Sequence, residues 1–432
     1  MDVPIPLVLM LFLFAFLMLF GMPLSFCMIF SSVAYFLLTD QTPWLVAHRM
    51  FTGIDTFTLM AIPFFVLAGE LMVYSGTAER LLKFANVSVG RFRGGLGYVN
   101  VLASMLFGGC SGSAISDVAG LGPMEIRMME KGGYSKGFSV ALTVSSAIQG
   151  PIIPPSIPLV LVGAVTGISI GGLLLGGAIP GVLVGLAQIL VIFFVSKIRN
   201  FPTSKSDPGM LGTLKAMFGA IPFLMMPFII LGGIIGGFFT PTEASAVAAA
   251  YGFVLIVIYK KGRVDIKSLG KLLTRSGVLS ASILMLAGAS NVFGWILANE
   301  RIPHAFANML LSISEKPWVI LLILNVFLLI WGMLMDSLPA ILILVPILMP
   351  VAAKLGIDRV HFGVMVTFNL AIGLITPPYG AALFTGSIVS GLSIEKIAKE
   401  MVPFILASIC ILLLITYIPC IVTFLPRLFE LI

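Results

Sequence analysis

The sequence predicts an all-α polytopic membrane protein folded as two inverted repeats. Three observations carry this expectation. Of 432 residues, 59% are hydrophobic and only 10% charged, and the mean hydropathy is +1.14, whereas a soluble domain carries about 25% charged residues. The Lys and Arg residues gather in alternate loops. A weak internal repeat sets the same helix-breaking signals into both halves at one spacing.

A bilayer crossing needs about 20 apolar residues. The runs that qualify as spans are Val3–Phe20, Leu24–Leu38, Thr58–Tyr74, Phe138–Val165, Leu173–Val195, Phe218–Phe238, Thr242–Tyr259, Val278–Leu297, Phe362–Ser390 and Val402–Leu425. The first has no Lys or Arg before it, unlike a cleavable targeting peptide, and reads as a retained span. Two further apolar stretches remain, around Gly97–Pro123 and Trp318–Val351.

The basic residues test this layout. With both termini periplasmic, 19 Lys and Arg residues fall in cytoplasmic loops and six in outer loops, among them Arg49, Arg301 and Lys354. That asymmetry follows the positive-inside rule. It holds only if the two extra stretches leave on the side they entered, so each is predicted to be a re-entrant hairpin. The net charge of +7 is then a topology signal. Its carriers sit in short loops beside spans, which argues against nucleic acid. The four cysteines, Cys27, Cys110, Cys410 and Cys420, lie in apolar segments without metal-ligand spacing and read as small buried residues.

The repeat is seen in several matches. Leu67-Ala68-Gly69 and Val73 recur as Leu286-Ala287-Gly288 and Val292. At an offset of 223, Ile153-Pro154-Pro155-Ser156 meets Thr376-Pro377-Pro378-Tyr379, Gly109 meets Gly332, Pro123 meets Pro346 and Gly150 meets Gly373. The halves are residues 1–200, with a hairpin at 97–123 and a broken helix at 138–165, and residues 218–432, with a hairpin at 318–351 and a broken helix at 362–390. Residues 201–217 form a cytoplasmic linker. Five crossings per half turn the second half upside down. Inverted repeats with interrupted helices in matching places point to a secondary transporter and to its site. Segments 77–94 and 260–275 are basic and amphipathic and are expected at the cytoplasmic interface.

Adjacent prolines remove helix hydrogen bonds. At membrane depth the freed carbonyls are tolerated only against protein or in a wet cavity. Pro154-Pro155 and Pro377-Pro378 therefore mark binding regions, and the hairpin segments Phe107–Ala114 and Gly332–Pro339 are their expected partners. Helix ends there offer amides to anions and carbonyls to cations, and carbonyls with hydroxyls suit a hard alkali ion. Asp336 is either a functional carboxylate or a cap of the hairpin turn; Asp117 is expected to cap the first hairpin. Glu70 reads as interfacial, and Glu243 as a capping residue within Thr240-Pro241-Thr242-Glu243. His48, His304 and His361 are far apart, and neither a zinc motif nor a phosphate-binding loop occurs, so no enzyme signature competes.

These residues resemble the large membrane subunit of tripartite ATP-independent periplasmic (TRAP) transporters, the DctM-like family. The resemblance spans essentially the whole chain. It rests on Ala61–Glu70, Ser111-Gly112-Ser113-Ala114, Ile152–Pro158, Phe239–Ala244 and Gly373–Pro378, with Gly150-Pro151 and Tyr379 as variations. It implies an inner-membrane, sodium-driven importer of an organic acid such as a dicarboxylate or sialic acid, with the elevator-type fold of the ion-transporter superfamily. It also implies a periplasmic substrate-binding protein and a separate small membrane subunit of about four spans, and no cofactor beyond sodium as coupling ion. Carried over by motif, one sodium cluster is Gly109, Ser111, Ser113, Gly150 and Ile153. The other is Gly332, Gly373, Thr376 and Tyr379. Substrate is implied between them, near Ser113, Ser156, Asp336, Thr376, Pro155 and Pro378. Rival expectations are a stand-alone sodium or proton symporter, an intramembrane enzyme or respiratory-complex subunit, and a channel.

Overall fold

Helix ends in this chain are written by proline, glycine and hydroxyl caps, and the computed structural model of the protein follows them. It describes residues 4–201, 209–260, 265–314 and 316–432. The expected span start Val3, linker residues 202–208 including Lys205, and the basic residues Lys261 and Arg263 lie outside the described residues. All regular structure among the described residues is helical.

The first half runs α1 (Ile5–Leu19), α2 (Leu24–Leu38), α3 (Trp44–Ile54), α4 (Ala61–Tyr74), α5 (Thr77–Val89) and α6 (Gly95–Ser111). It continues with α7 (Ala114–Gly120), α8 (Gly122–Lys131), α9 (Lys136–Ser146), α10 (Ile157–Thr166) and α11 (Ile170–Ile198). The second half runs α12 (Gly209–Ile235), α13 (Pro241–Lys260), α14 (Ile266–Asn299), α15 (Ile302–Ile313) and α16 (Pro317–Leu334). It ends with α17 (Ser337–Lys354), α18 (Arg359–Gly373), α19 (Ala381–Ser390), α20 (Ile394–Tyr417) and α21 (Cys420–Leu428). Both hairpins are present, as α6 with α7–α8 and as α16 with α17. Both expected broken helices are broken, between α9 and α10 and between α18 and α19. Each break contains a cis Pro-Pro bond.

Among the described residues, seven helices are long and apolar enough to cross a membrane singly: α11, α12, α13, α14, α16, α17 and α20. Helices α4 and α5 meet that test together but bend by 67° between them, as a span followed by an interfacial helix would. Large apolar side chains face outward, for example Phe228 at 69% and Val257 at 66% exposure. Such surface needs lipid or protein cover.

The structure corrects several expectations. The second interfacial segment is not separate: α14 carries residues 266–275 straight into the span, so it is 34 residues long. Helices α3 and α15, in segments expected to be outer loops, are short and amphipathic. The first hairpin returns past Pro123 to Lys131 in two pieces. Residues 209–217 are helical rather than linker. The last span ends at Tyr417, and Pro419 starts a separate α21. Cys27 and Cys110 are buried, but Cys410 and Cys420 are exposed. His361 is buried, with Nε2 2.8 Å from the Ile415 carbonyl. Glu243 behaves as expected: its carboxylate accepts from the Thr240 amide and hydroxyl at 2.8 Å each, and its own amide returns to Thr240 Oγ1 at 3.3 Å.

Packing separates two groups of helices. In one, α4 lies along α13, and α14 lies against α2, α3 and α4. Arg49 stacks on Trp295 at 3.8 Å, and Tyr35 donates to Glu300. Arg80 lies over Tyr259 at 4.3 Å and pins α5 to this group. In the other group the halves interlock. Helix α10 packs along α17, α19 along α7, and α9 along α20. Each broken helix thus grips the hairpin of the opposite half. Polar side chains fasten each hairpin to its own broken helix. In the first half, Asn100 Nδ2 donates to Thr143 Oγ1 at 2.7 Å and Ser146 Oγ donates to Asn100 Oδ1 at 2.9 Å; within the hairpin, Ser104 Oγ of α6 donates to Glu125 Oε1 of α8 at 3.3 Å. In the second, Asn369 Nδ2 donates to Asn325 Oδ1 at 2.8 Å, and Asn325 Nδ2 carries the contact on to Thr416 Oγ1 of α20 at 3.0 Å. An Arg199–Glu400 ion pair at 2.7 Å ties the end of α11 to α20.

Glycine permits the closest approach. A Cβ on Gly373 would lie 2.4 Å from the Gly332 carbonyl carbon, whereas one on Gly232 meets nothing within 4 Å. Gly373→Ala is therefore expected to lower the melting temperature of the purified protein in sodium-free buffer, at a cost of about 1–3 kcal/mol. Gly232→Ala is expected to leave it unchanged or raise it slightly, and differential scanning fluorimetry measures both.

Candidate functional site

The two hairpin tips and the two breaks face one another. At the first tip, α6 ends on Gly112, whose φ of +64° is the left-handed conformation that glycine adopts freely. Its backbone presses on the first break: a Cβ there would lie 2.9 Å from the Pro155 carbonyl oxygen. A Cβ on Gly109 would lie 3.2 Å from the Pro154 oxygen, and one on Gly108 would lie 2.9 Å from the Gly150 Cα. Gly150 in turn faces Ser113 and Asp117; its Cβ would sit 3.2 Å from the Ser113 nitrogen and 2.6 Å from Asp117 Oδ2. Three members of the first implied cluster, Ser111, Ser113 and Gly150, thus meet around Asp117, and Gly109 lies on the break at Pro154. Ile153 joins through the side-chain methyl beside Gly109.

Asp117 is the residue that sequence reasoning undervalued. Its expected role was a cap. Instead the cap of α7 is Ser113, whose hydroxyl accepts the Ser116 amide at 3.5 Å. Asp117 is 2% exposed. Ser111 donates its hydroxyl to Oδ1, and buried Oδ2 has no hydrogen-bond partner. A buried carboxylate oxygen without a donor is costly and is the kind of vacant ligand a cation fills. Among the described residues no three His, Cys, Asp or Glu side chains gather as a metal cage. A cation here would be held by one carboxylate, the Ser111 hydroxyl and main-chain oxygens, a set that suits a hard monovalent ion.

The second tip has the same plan, but its acid, Asp336, lines the cavity between the tips. Gly332 touches Gly373, and the Gly380 amide donates to the Met333 carbonyl at 3.2 Å. Thr376 Oγ1 donates to the Ile372 carbonyl at 2.7 Å, so its lone pairs remain available. Tyr379 is 51% exposed and stacks on Phe384 at 6.0 Å; its side chain does not join Gly332 and Gly373. Around Gly332, Gly373 and Thr376 a cation would be held by main-chain and hydroxyl oxygens.

Between the tips lies a cavity of about 860 Å³. Ser111, Gly112 and Ser113 from the first tip and Asp336, Ser337 and Leu338 from the second reach it. Pro151, Ile157 and Leu374 add the breaks. Of the six residues implied for substrate, Ser113 and Asp336 line the cavity. The others do not. Ser156 is buried and caps α10, accepting the Leu159 amide at 3.2 Å and donating to the Pro151 carbonyl. Thr376 turns back to its own helix, Pro155 packs under Gly112, and Pro378 lies on the exposed side of its break. Asp336 stands at the start of α17, where its carboxylate lies by the Ser337 and Leu338 amides and Ser337 Oγ stands 3.1 Å away. It lines the cavity from that position, so both open readings, functional carboxylate and cap, fit the geometry.

The cavity wall opposite the tips is built by α4 and α14. Glu70 of α4 is no mere interfacial residue: it lines the cavity and meets Arg275 of α14 at 3.5 Å. Thiol labelling checks the cavity directly. In a cysteine-free background, Ser282→Cys is expected to react with a membrane-impermeant maleimide applied from one side of the membrane only. Ser276→Cys and Ser280→Cys, both buried, are expected to react at least tenfold more slowly, read by gel shift.

Residues 11–421 match the model of the DctM component of tripartite ATP-independent periplasmic transporters. The chain is 42% identical over 413 residues to the sialic acid TRAP transporter large permease protein SiaM of Vibrio cholerae, covering 95% of this chain and 96% of that one. It is 38% identical to the C4-dicarboxylate large permease DctM of Pseudomonas aeruginosa, over 88% of this chain and 89% of that one. It is also 38% identical to the isethionate permease DctMQ of Oleidesulfovibrio alaskensis, over 94% of this chain and 64% of that one. Among solved structures, the YdaH transporter of Alcanivorax borkumensis shares the fold, with a TM-score of 0.58 and 15% identity over 84% of this chain and 86% of that one.

Proposed function

The chain belongs to the DctM-component family of tripartite ATP-independent periplasmic transporters, a multi-pass permease of the inner membrane, and we propose that it imports an organic acid in symport with sodium. The observation that carries this reading is the convergence of both hairpin tips and both breaks on one cavity, with the unpartnered Asp117 Oδ2 beside the first. Sodium binds at that first meeting point, on Asp117, Ser111 and the carbonyls around Gly109 and Gly150. A second ion binds on the main-chain oxygens around Gly332, Gly373 and Thr376. Each ion pins a tip to its break. The cavity between them then takes the substrate, with Ser113 and Asp336 as polar contacts.

Each sodium moving inward gains roughly 2.3 kcal/mol per 100 mV, which together with its gradient drives an anion uphill. The interlocked helices α6–α11 and α16–α21 move as one body against the group around α4, α13 and α14. The interlock supports this, because neither hairpin can shift without the opposite broken helix. The relatives' names support a carboxylate or sulfonate as substrate: sialic acid, C4-dicarboxylate and isethionate. By the Lys and Arg bias both termini are periplasmic, and the cavity, walled by Lys271 and Arg275, opens to the cytoplasm. The same family membership supports two partners, a small membrane subunit and a periplasmic substrate-binding protein. A protein that works without the binding protein is the second reading.

Reconstitution with the small subunit decides between them. Uptake of labelled N-acetylneuraminate, succinate or isethionate is expected to require both an inward sodium gradient and the binding protein. Uptake with sodium alone would favour the stand-alone symporter. Asp117→Asn is expected to lower uptake at least tenfold and to raise the sodium concentration that half-saturates it; Thr376→Ala is expected to do so more weakly.

A further inference from the structure

Helix α14 presents an unbroken face to the cavity, with Lys271, Arg275, Val278 and Ser282 on successive turns. Arg275 and Ser282 are seven residues apart, a rise of about 10 Å. Two cations therefore stand at one end of the path and the hairpin tips at the other. They are there because α14 continues through the interface instead of breaking. Arg275 has one acidic partner among the described residues, Glu70 at 3.5 Å, and its side chain is 69% exposed. A well-formed Arg–carboxylate contact is about 2.7–2.9 Å, so this pair is loose and open to competition.

The pair also breaks the repeat. At the spacing that relates Leu67-Ala68-Gly69 to Leu286-Ala287-Gly288, Lys271 and Arg275 correspond to Thr52 and Thr56, and Glu70 to Ala289. A feature serving both orientations would recur in both halves. This one serves a single side.

Resting on the organic-acid reading above, we propose that Arg275, aided by Lys271, is an anion-docking point at the cavity mouth. The substrate's carboxylate leaves the hairpin tips by displacing Glu70 from Arg275. Glu70 is then a built-in competitor that keeps Arg275 from holding the product. The guanidinium suits this exchange, because its single loose Nε contact to Glu70 leaves its other donors to a second carboxylate.

The test is equilibrium binding of labelled N-acetylneuraminate and succinate to the chain with its small subunit in nanodiscs, in sodium buffer at two salt concentrations. Arg275→Gln is expected to weaken binding about tenfold, the weight of one charge-assisted contact, and to flatten its salt dependence. Arg275→Lys is expected to retain most of the affinity. Glu70→Gln is expected to tighten binding several-fold, since it removes the competitor and leaves the cation. Opposite signs for Glu70→Gln and Arg275→Gln are the signature. If the pair were only a tie between α4 and α14, both would weaken binding alike, and that result overturns the proposal. Unchanged affinity in both overturns it alone. A parent protein that binds neither acid overturns it together with the organic-acid reading. Should Arg275→Gln fail to fold, Glu70→Gln decides by the same sign.

Discussion

A peptide group freed from its helix at membrane depth has no water to bind and cannot be left against lipid. Two Pro-Pro pairs impose that problem twice on this chain, and much of the structure answers it. Each break is covered by a hairpin tip, and each cover is made of glycine, because only a backbone without Cβ comes that near. Gly108 lies on Gly150, Gly112 on Pro155, and Gly332 on Gly373. The carbonyls that the prolines release are thereby gathered in protein, where they can serve an ion. The far half of each broken helix is held as well, since α10 packs on α17 and α19 on α7, in the hairpins of the opposite halves. A local defect in two helices thus dictates a re-entrant hairpin, an interlocked body and a cavity between the tips.

The two halves solve the same problem with different chemistry. The first adds a buried carboxylate, Asp117, of which one oxygen is bonded by Ser111 and the other has no partner. The second offers main-chain oxygens and the hydroxyl of Thr376. Burying a charge without a counter-charge is expensive, so the first site has the stronger need for a cation. The symmetry of the fold does not extend to the strength of its sites. The cavity wall departs from symmetry as well, since the Glu70–Arg275 pair has no counterpart in the other half.

The parts legible in the sequence were those with strong local chemistry. Pro-Pro pairs announce breaks, a run of glycine and serine announces a tip, and the Lys and Arg bias excludes full crossings by the hairpins. Helix α2 falls where its apolar run does, and the Thr240–Glu243 cap forms as its spacing dictates. The parts not legible depend on tertiary neighbours. Helices α3 and α15 are too short and amphipathic to stand out beside true spans. The charges of Lys267, Lys271 and Arg275 concealed the continuity of α14, which nothing in its backbone interrupts. Ser156 and Thr376 carry the right groups but spend them on neighbouring backbone, a short-range competition that composition does not reveal. Asp117 needed the fold, because its significance lies in facing Gly150, 33 residues away in sequence.

If sodium holds each tip to its break, amide hydrogen exchange will register it without any substrate. The measurement is deuterium uptake at residues 108–117, 150–156, 332–337 and 373–380, for the protein in sodium and in potassium at equal ionic strength. Slower exchange in sodium at both tips and both breaks, with the helices α4 and α13 unaffected, is the result this account predicts. Equal exchange in the two salts at all four segments would contradict it.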